Sequence, residues 1–171
     1  AKQVIIGMPV YNGVEYLKIA VDSLIRSTNY PFTLVIIESE STDGSKEYCD
    51  ALKYIYPNNK FEIIHTPKEG PLKAYNRLFT LAKERECDLY LVQTDVIHYK
   101  LFQRDWLTEM NDCARNEYVG LIAPNGAWGQ TEIAQPRFPI FEWIGGWACY
   151  IPNRIIQKFG GYDEGYLIGD K

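Results

Sequence analysis

The residues best suited to chemistry lie where apolar, β-branched runs end. Glu38 directly follows the run at residues 35–37, and Asp95 comes three residues after Val92. Open α/β sheets bind ligands in the crevice outside the carboxyl ends of their strands, so carboxylates here can accept hydrogen bonds from a ligand. Lys73 stands in the first turn of a predicted helix, where the positive helix N-terminus adds to its attraction for an anion. These positions predict a polar ligand site at one edge of a sheet.

The elements that must position these residues follow from the hydrophobic pattern. Short apolar runs alternate with longer segments of helical period, which predicts βα units around a largely parallel, buried sheet. Strands are predicted at residues 4–8, 33–37, 61–65, 89–93, 118–123 and 148–151.

Four helices are predicted by apolar residues at spacings of three and four. The second follows the capping segment 41–44, the third begins near Pro71, and the fourth covers about residues 106–114. The apolar faces predicted for the first two helices are Val14, Leu17, Val21 and Leu24, then Tyr48, Leu52 and Ile55. After Pro124 a long irregular connection rich in aromatic residues is predicted, which either stacks on a sugar or a partner surface or closes the edge of the core.

Composition and charge exclude several classes of protein. A chain of 171 residues, 46% of them hydrophobic, is typical of one folded domain. The net charge of −4 without a basic run argues against nucleic-acid binding. We find no apolar stretch of the roughly 18 to 20 residues that a membrane span needs and no signal-type N-terminus, and therefore expect a cytoplasmic location. The four cysteines form no CxxC pair and are expected to be reduced and mostly buried.

Two glycine-rich phosphate-binding motifs are missing after the first strand. Residues 7–13 read Gly-Met-Pro-Val-Tyr-Asn-Gly, which matches neither GxGxxG nor GxxxxGK[ST]. This disfavours a dinucleotide dehydrogenase and a P-loop NTPase.

Two other motifs together resemble the opening of family 2 glycosyltransferases. Pro-Val-Tyr-Asn-Gly at residues 9–13 follows the first predicted strand, and Ser-Thr-Asp-Gly at 41–44 follows the second. Between them, Glu38 stands where the family usually has Asp. Segment 70–77 resembles the family's helix opening, and segment 159–165 resembles its Gly-Gly-aromatic-Asp-Glu turn on the acceptor side.

The resemblance implies a single Rossmann-like α/β domain of the GT-A type over residues 1–171, with a mostly parallel central sheet and helices on both faces. It divides the chain into a nucleotide-binding part at about 1–97 and an acceptor-side part at about 98–171. The implied activity is an inverting, metal-dependent transfer of a sugar from a nucleotide-diphosphate donor to a glycan, lipid or protein acceptor.

The same resemblance implies the site residues. Gln93, Thr94 and Asp95 occupy the place of the family's DxD motif, so Asp95 is implied as the ligand of a divalent cation, Mn²⁺ or Mg²⁺, which commonly uses only one or two protein carboxylates. Asp170 is implied as the general base that deprotonates the acceptor. His98 is either a second metal ligand or an ordinary loop residue. The implied nucleotide-binding residues are Pro9, Tyr11, Glu38, Lys73, Asn76, Gln93 and Thr94.

Two alternatives stay open. Gln93 replaces the first acidic residue of the DxD motif and Gly169 replaces the acidic neighbour of Asp170, which also fits a degenerate GT-A domain that binds a nucleotide, a sugar or a protein without catalysis. A sugar nucleotidyltransferase would need a glycine-rich, arginine-bearing loop after the first strand, which residues 9–13 do not form. The small size and the end of the chain also resemble compact GT-A proteins encoded by viruses of archaea, which predicts the host cytoplasm as its location.

Overall fold

Strands and helices alternate along the first half of the chain, as the hydrophobic pattern predicts. The computed structural model describes residues 3–99, 105–123, 132–134, 140–141 and 148–165. In chain order the elements are β1 (Val4–Val10), α1 (Val14–Ser27), β2 (Phe32–Ser39), α2 (Ser45–Ile55), β3 (Lys60–Thr66), α3 (Pro71–Glu84), β4 (Asp88–Val92), α4 (Trp106–Ala114), β5 (Glu132–Ala134), β6 (Ile140–Phe141), β7 (Ala148–Ile151) and α5 (Asn153–Phe159).

Among the described residues, five strands form the central sheet in the order β3-β2-β1-β4-β7. β1 to β4 run parallel, and β7 pairs with β4 in the antiparallel direction at one edge. β5 and β6 form a separate antiparallel pair. The predicted fold class, a mostly parallel α/β sheet, is confirmed.

Each face of the sheet is covered by helices, because strand side chains alternate between the two faces. α1, α2 and α4 pack on the face that carries Val4, Ile6 and Met8. α3 and α5 pack on the face that carries Ile5. Gly7 lets α3 approach β1, because a Cβ at this position would lie 2.7 Å from Leu78 Cδ1.

The prediction of a strand at 118–123 is wrong. Only Ile122 pairs, through two backbone hydrogen bonds of 3.0 and 2.7 Å with Tyr150 in β7. Tyr118 is 89% exposed, so the apolar character of this segment is not matched by burial. One bridge replaces the predicted strand.

The prediction for the second helix is confirmed at Leu52, which is buried, and at Tyr48, which packs against the core, but not at Ile55. Ser45, Cys49 and Leu52 are buried, whereas Ile55 at the helix end is 48% exposed. The pattern also does not mark α5 or the pair β5 and β6, which lie in or beyond the connection predicted to be irregular after Pro124. Most of that connection lies outside the described residues.

The remaining global predictions concern cysteines and membranes. The four cysteines are free, and Cys49, Cys87 and Cys149 are buried, as predicted. Within the part of the chain that the structure describes, no helix combines the length and apolar character needed to cross a membrane.

Candidate functional site

The carboxyl edge of the sheet between β1 and β4 is the candidate site. The chain runs from β1 to β2 and β3 on one side, whereas β4 lies on the other side of β1, so the strand order reverses at this point. The pairing of β1 with β4 ends at Gly7 and Leu91, but its pairing with β2 extends to Val10 and Glu38. The carboxyl end of β1 therefore diverges from β4, and the gap between the two strands is the kind of crevice in which open α/β sheets bind ligands.

The structure brings the predicted residues of three strands to this edge. Pro9 lies two residues beyond the last pair of β1 with β4, and Tyr11 follows the strand. Glu38 lies at the end of β2, and the segment 93–95 directly follows β4.

The loops after β1 and β2 are locked to each other. The Asn12 backbone N–H donates to Ser41 Oγ at 2.9 Å, and the Thr42 N–H donates to Asn12 Oδ1 at 2.8 Å. Asn12 has a φ of 57°, a left-handed conformation that asparagine tolerates better than most residues. The two motifs that resemble the family opening thus form one hydrogen-bonded floor of the crevice.

Asp43 caps two helices at once. Its Oδ2 accepts the N–H of Val14, the first residue of α1, at 3.0 Å. Its Oδ1 accepts the N–H and the hydroxyl of Ser45, the first residue of α2, at 3.1 and 2.7 Å. The hydrogen bond from the Ser45 side chain and then that from the Val14 amide lower the pKa of Asp43 to about 2. The predicted capping segment therefore ties α1 to α2 next to the crevice.

Tyr11 carries a cationic neighbour that no sequence motif marks. Lys68, in the connection after β3, places its Nζ 4.2 Å from the centroid of the Tyr11 ring and donates to the Tyr11 hydroxyl at 2.8 Å. The Lys68 N–H donates to Glu40 Oε2 at 3.2 Å, and Glu40 has a left-handed φ of 52°. Tyr11 remains 48% exposed, so an aromatic surface and a positive charge lie side by side at this edge.

Glu38 is buried and already holds two partners. Its residue exposure is 1%; Oε1 accepts the Ser41 N–H at 2.7 Å, and Oε2 lies 2.7 Å from His65 Nδ1. Burial raises the pKa of Glu38, but the hydrogen bonds from the Ser41 amide and from His65 outweigh it, and the pKa falls below its ordinary value. A carboxylate has about four acceptor sites, so these two hydrogen bonds leave two of them.

The segment after β4 presents polar groups to the crevice. Gln93 and Asp95 are exposed, and Thr94 is half-buried. Burial raises the pKa of Tyr75 in α3, and a hydrogen bond with the Gln93 side chain partly offsets that effect. Asp95 supplies one exposed carboxylate, next to an amide and a hydroxyl. This oxygen set suits Mg²⁺ or Mn²⁺, which take carboxylate, carbonyl, phosphate and water ligands.

His98 does not lie in a metal-binding position. Its ring lies 4.9 Å from that of Trp106 and 5.8 Å from that of Tyr90, and its Nε2 is 3.1 Å from the Tyr90 hydroxyl. Burial lowers the pKa of His98 to about 4, so the imidazole is neutral. These contacts agree with the interpretation of His98 as an ordinary loop residue, and the described residues contain no cluster of three or more His, Cys, Asp or Glu suited to a metal ion.

Lys73 and Asn76 lie on α3, beside the turn at residues 160–165. Lys73 is exposed in the first turn of the helix, as predicted from the sequence. Both residues line a groove of about 410 Å³ together with Glu69, Arg77 and Glu164. Asn76 uses its amide on the turn: Oδ1 accepts the Tyr162 N–H at 2.7 Å, and Nδ2 donates to the Tyr162 carbonyl and to Glu164 Oε1, both at 2.9 Å.

The turn packs against α3 so closely that only glycine fits at residue 161. A Cβ on Gly161 would lie 2.2 Å from Asn76 Oδ1. The ring of Tyr162 lies 5.7 Å from that of Tyr75 and makes an edge contact with Phe79 at 5.4 Å. The segment predicted from its Gly-Gly-aromatic pattern to be on the acceptor side is therefore fixed to the helix that borders the crevice. Asp170 lies outside the described residues.

Comparisons with known proteins agree with this geometry. The family model "Glycosyl transferase family 2" matches residues 5–96. The minor teichoic acid biosynthesis protein GgaA of Bacillus subtilis is 28% identical over 91 residues, which are 52% of this chain and 20% of GgaA.

Solved structures share the fold at low sequence identity. The mannosyltransferase PcManGT from Pyrobaculum calidifontis, in complex with GDP-Man and Mn²⁺, superposes with a TM-score of 0.72 at 17% identity, over 95% of this chain and 48% of that one. S. aureus TarS in complex with UDP gives 0.57 at 19% identity, over 79% and 38% of the two chains. The chain spans about a fifth of GgaA and about half or less of these two structures.

Proposed function

The chain belongs to glycosyl transferase family 2, and we propose that it transfers a sugar from a nucleotide-diphosphate donor to an acceptor. The observation that supports this most is the convergence of the family's motif residues on one crevice. Tyr11, Glu38 and the segment 93–95 lie at the carboxyl ends of β1, β2 and β4, three adjacent strands beside the point where the strand order reverses.

The donor nucleotide lies across the ends of β1, β2 and β4 in this proposal. The exposed ring of Tyr11 stacks on the base, and Glu38 accepts an N–H from the base edge. Pro9 shapes the floor, and Gln93 and Thr94 hydrogen-bond the ribose hydroxyls without adding negative charge. Neither GDP-Man nor UDP, the ligands of the two structures with this fold, fixes the base that this chain selects.

Lys73 and the N-terminus of α3 attract the diphosphate. The side-chain amide of Asn76 is hydrogen-bonded to the turn at 160–165. Its proposed contribution to nucleotide binding is therefore indirect, through the position of α3.

A divalent cation fits beside Asp95. The residue offers an exposed carboxylate at the end of β4, and the phosphates of the donor and water would complete the coordination. When bound, the cation offsets the negative charge that develops on the departing diphosphate. The Mn²⁺ in the mannosyltransferase complex supports the choice of Mn²⁺ or Mg²⁺.

The acceptor, a glycan, a lipid or a protein, approaches from the side of the turn at 160–165. Asp170 follows this turn in the sequence and is proposed to deprotonate the acceptor hydroxyl as it attacks the anomeric carbon. A direct attack of this kind inverts the anomeric configuration, which NMR of the product reads directly.

Calorimetry tests the donor site. Wild-type protein should bind UDP or GDP with Mn²⁺ and lose affinity in EDTA, whereas Asp95→Asn should bind equally weakly in both conditions. Glu117→Gln removes another exposed carboxylate, in the turn after α4, and should behave like the wild type. Equal affinity of the wild type with Mn²⁺ and with EDTA would contradict the metal site, and no binding of any nucleotide diphosphate would contradict the proposal.

A binding domain without catalysis is the second candidate, because the neutral Gln93 stands in the first acidic position of the DxD-like segment. The two candidates differ in turnover. A transferase releases labelled sugar from a panel of radiolabelled donors with Mn²⁺ or Mg²⁺, whereas a binding domain raises its melting temperature with the nucleotide but releases none.

A further inference from the structure

Glu38 is connected through His65 to the surface of α2. His65 lies beside Glu38 in the parallel pairing of β2 with β3. Its Nδ1 lies 2.7 Å from Glu38 Oε2, and its Nε2 lies 2.9 Å from Asp50 Oδ1. The exposed fraction of the side chain rises along this chain of contacts, from 1% at Glu38 through 39% at His65 to 54% at Asp50.

Both nitrogens of the imidazole face carboxylate oxygens. An ionised carboxylate only accepts hydrogen bonds, so both ring nitrogens must donate, which requires the imidazolium form. A neutral imidazole has one N–H and would turn a lone pair toward one of the two carboxylates. The bridge between Glu38 and Asp50 is therefore complete only when His65 is charged.

We propose that His65 is a positioning residue for nucleotide recognition, which as an imidazolium bridging Glu38 and Asp50 holds the Glu38 carboxylate in place at the end of β2. The inference rests on the proposed function of Glu38 in base recognition. Through Oε1, Glu38 also accepts the Ser41 N–H at 2.7 Å, so the same bridge fixes the loop that is locked to Asn12.

The charges around His65 favour this state. The hydrogen bond with Glu38 raises the pKa of His65, burial lowers it, and the hydrogen bond with Asp50 raises it again, with a net increase. Cys49 on α2, which interacts with Glu38 and Asp50, is a neutral thiol because burial raises its pKa to about 12. His65 is therefore charged below its raised pKa, and the bridge is lost as the pH rises through that value.

Affinity for nucleotide diphosphates should follow the same titration. We expect the affinity for UDP or GDP, measured by calorimetry with Mg²⁺, to fall about tenfold as the pH rises through the pKa of His65, the size of one charge-assisted hydrogen bond. Inorganic pyrophosphate has no base and serves as the probe for the phosphate site, so its affinity at each pH should be the same in the wild type and in the variants.

Two variants separate positioning from structure. His65→Gln keeps a donating amide nitrogen but carries no charge. The nucleotide affinity of this variant should be lower and should no longer depend on pH in the range where His65 titrates. Asp50→Asn keeps an acceptor for His65 Nε2 but removes a charge that stabilises the imidazolium, so the fall in affinity should shift to lower pH. A residue that only supports folding would not move this midpoint.

NMR supplies a reciprocal readout. If the charged form of His65 binds nucleotide about tenfold more tightly, bound nucleotide must raise the pKa of His65 by about one unit. The chain has two histidines, so a His98→Gln variant assigns the signals.

Unchanged pH dependence in His65→Gln, an unmoved midpoint in Asp50→Asn, or an equal loss of pyrophosphate affinity would overturn the inference. If one of these results is found while the wild type still binds nucleotide and transfers sugar, the inference about His65 is wrong and the proposed function stands. If the wild type binds no nucleotide at any pH, both fall together.

Discussion

The contact between Gly161 and Asn76 allows a sharp test of how the turn at 160–165 is held. Gly161→Ala places a Cβ 2.2 Å from Asn76 Oδ1, about 1 Å closer than a normal contact, so either the Asn76 side chain or the turn must move. Either movement breaks the three hydrogen bonds that Asn76 makes to the turn, at 2.7 Å to the Tyr162 N–H and at 2.9 Å to the Tyr162 carbonyl and to Glu164.

The magnitude follows from what is lost. Asn76 makes three hydrogen bonds to the turn, and all three are exposed to solvent. Exposed hydrogen bonds lie at the low end of the usual energy range, so their loss costs about 0.5 kcal/mol each, or about 1.5 kcal/mol together. In the Asn76→Ala background the nearest remaining atom to the new Cβ is Phe79 Cβ at 3.5 Å, an ordinary contact. Gly161→Ala should therefore cost about 1.5 kcal/mol in the wild type and close to nothing in Asn76→Ala.

Urea titration measures the cost in both backgrounds, and hydrogen exchange at the Tyr162 amide reports local opening of the turn in the wild-type background, where Asn76 accepts this N–H. A cost of about 1.5 kcal/mol corresponds to roughly tenfold faster exchange of this amide. Gly120→Ala is the matched control, since its Cβ would meet no atom within 4 Å. Equal costs of Gly161→Ala in the two backgrounds would refute the reasoning, because the clash would then not involve Asn76.

Three further predictions address other parts of the site. Since the folded pKa of Asp43 lies near 2, below its ordinary 3.8, its stabilising effect is present above about pH 4 and is lost as the pH falls toward 2. The free energy of unfolding should therefore fall less steeply with decreasing pH in Asp43→Asn than in the wild type. The same pH dependence in both proteins would contradict the double cap. Glu40→Gly relieves a left-handed φ of 52°, so the free energy of unfolding measured by urea titration should stay equal or rise by up to about 1 kcal/mol. Glu47→Gly in α2 is the control and should lower this free energy by about 0.5 kcal/mol. With donor, acceptor and metal present, Asp170→Asn should reduce turnover about a hundredfold and leave donor affinity nearly intact; wild-type turnover would make Asp163 or Glu164 the better candidate for the base.

The parallel part of the fold was accessible from sequence because its elements are regular. Buried strands read as continuous apolar runs, and α3 begins at Pro71 as predicted. The strand predicted at 118–123 failed because apolar residues predict burial or pairing only where a partner edge exists. Within the described part of 118–123, only Ile122 forms a bridge to β7.

Site residues could be predicted from the sequence where their type and motif identify them. They could not be predicted where only a tertiary contact brings them to the site. Tyr11, Glu38 and Asp95 lie at the expected strand ends. Lys68 was missed because its partner Tyr11 is 57 residues away in sequence. Which nucleotide contacts each predicted residue makes, the action of Asp170 and a viral origin stay predictions.

One helix connects the two halves of the proposed reaction. The pKa of Tyr75 on α3 is influenced by Gln93, in the segment proposed to bind the donor, and the Tyr75 ring packs on Tyr162 of the turn proposed to lie on the acceptor side. Asn76, the next residue along α3, holds the backbone of the same turn. Because the Tyr162 ring packs against the Tyr75 ring, a turn displaced from α3 also leaves the Tyr75 side chain without this packing partner. Loss of the Asn76 contacts should therefore weaken donor binding as well as acceptor use, although Asn76 has its own amide fully engaged with the turn.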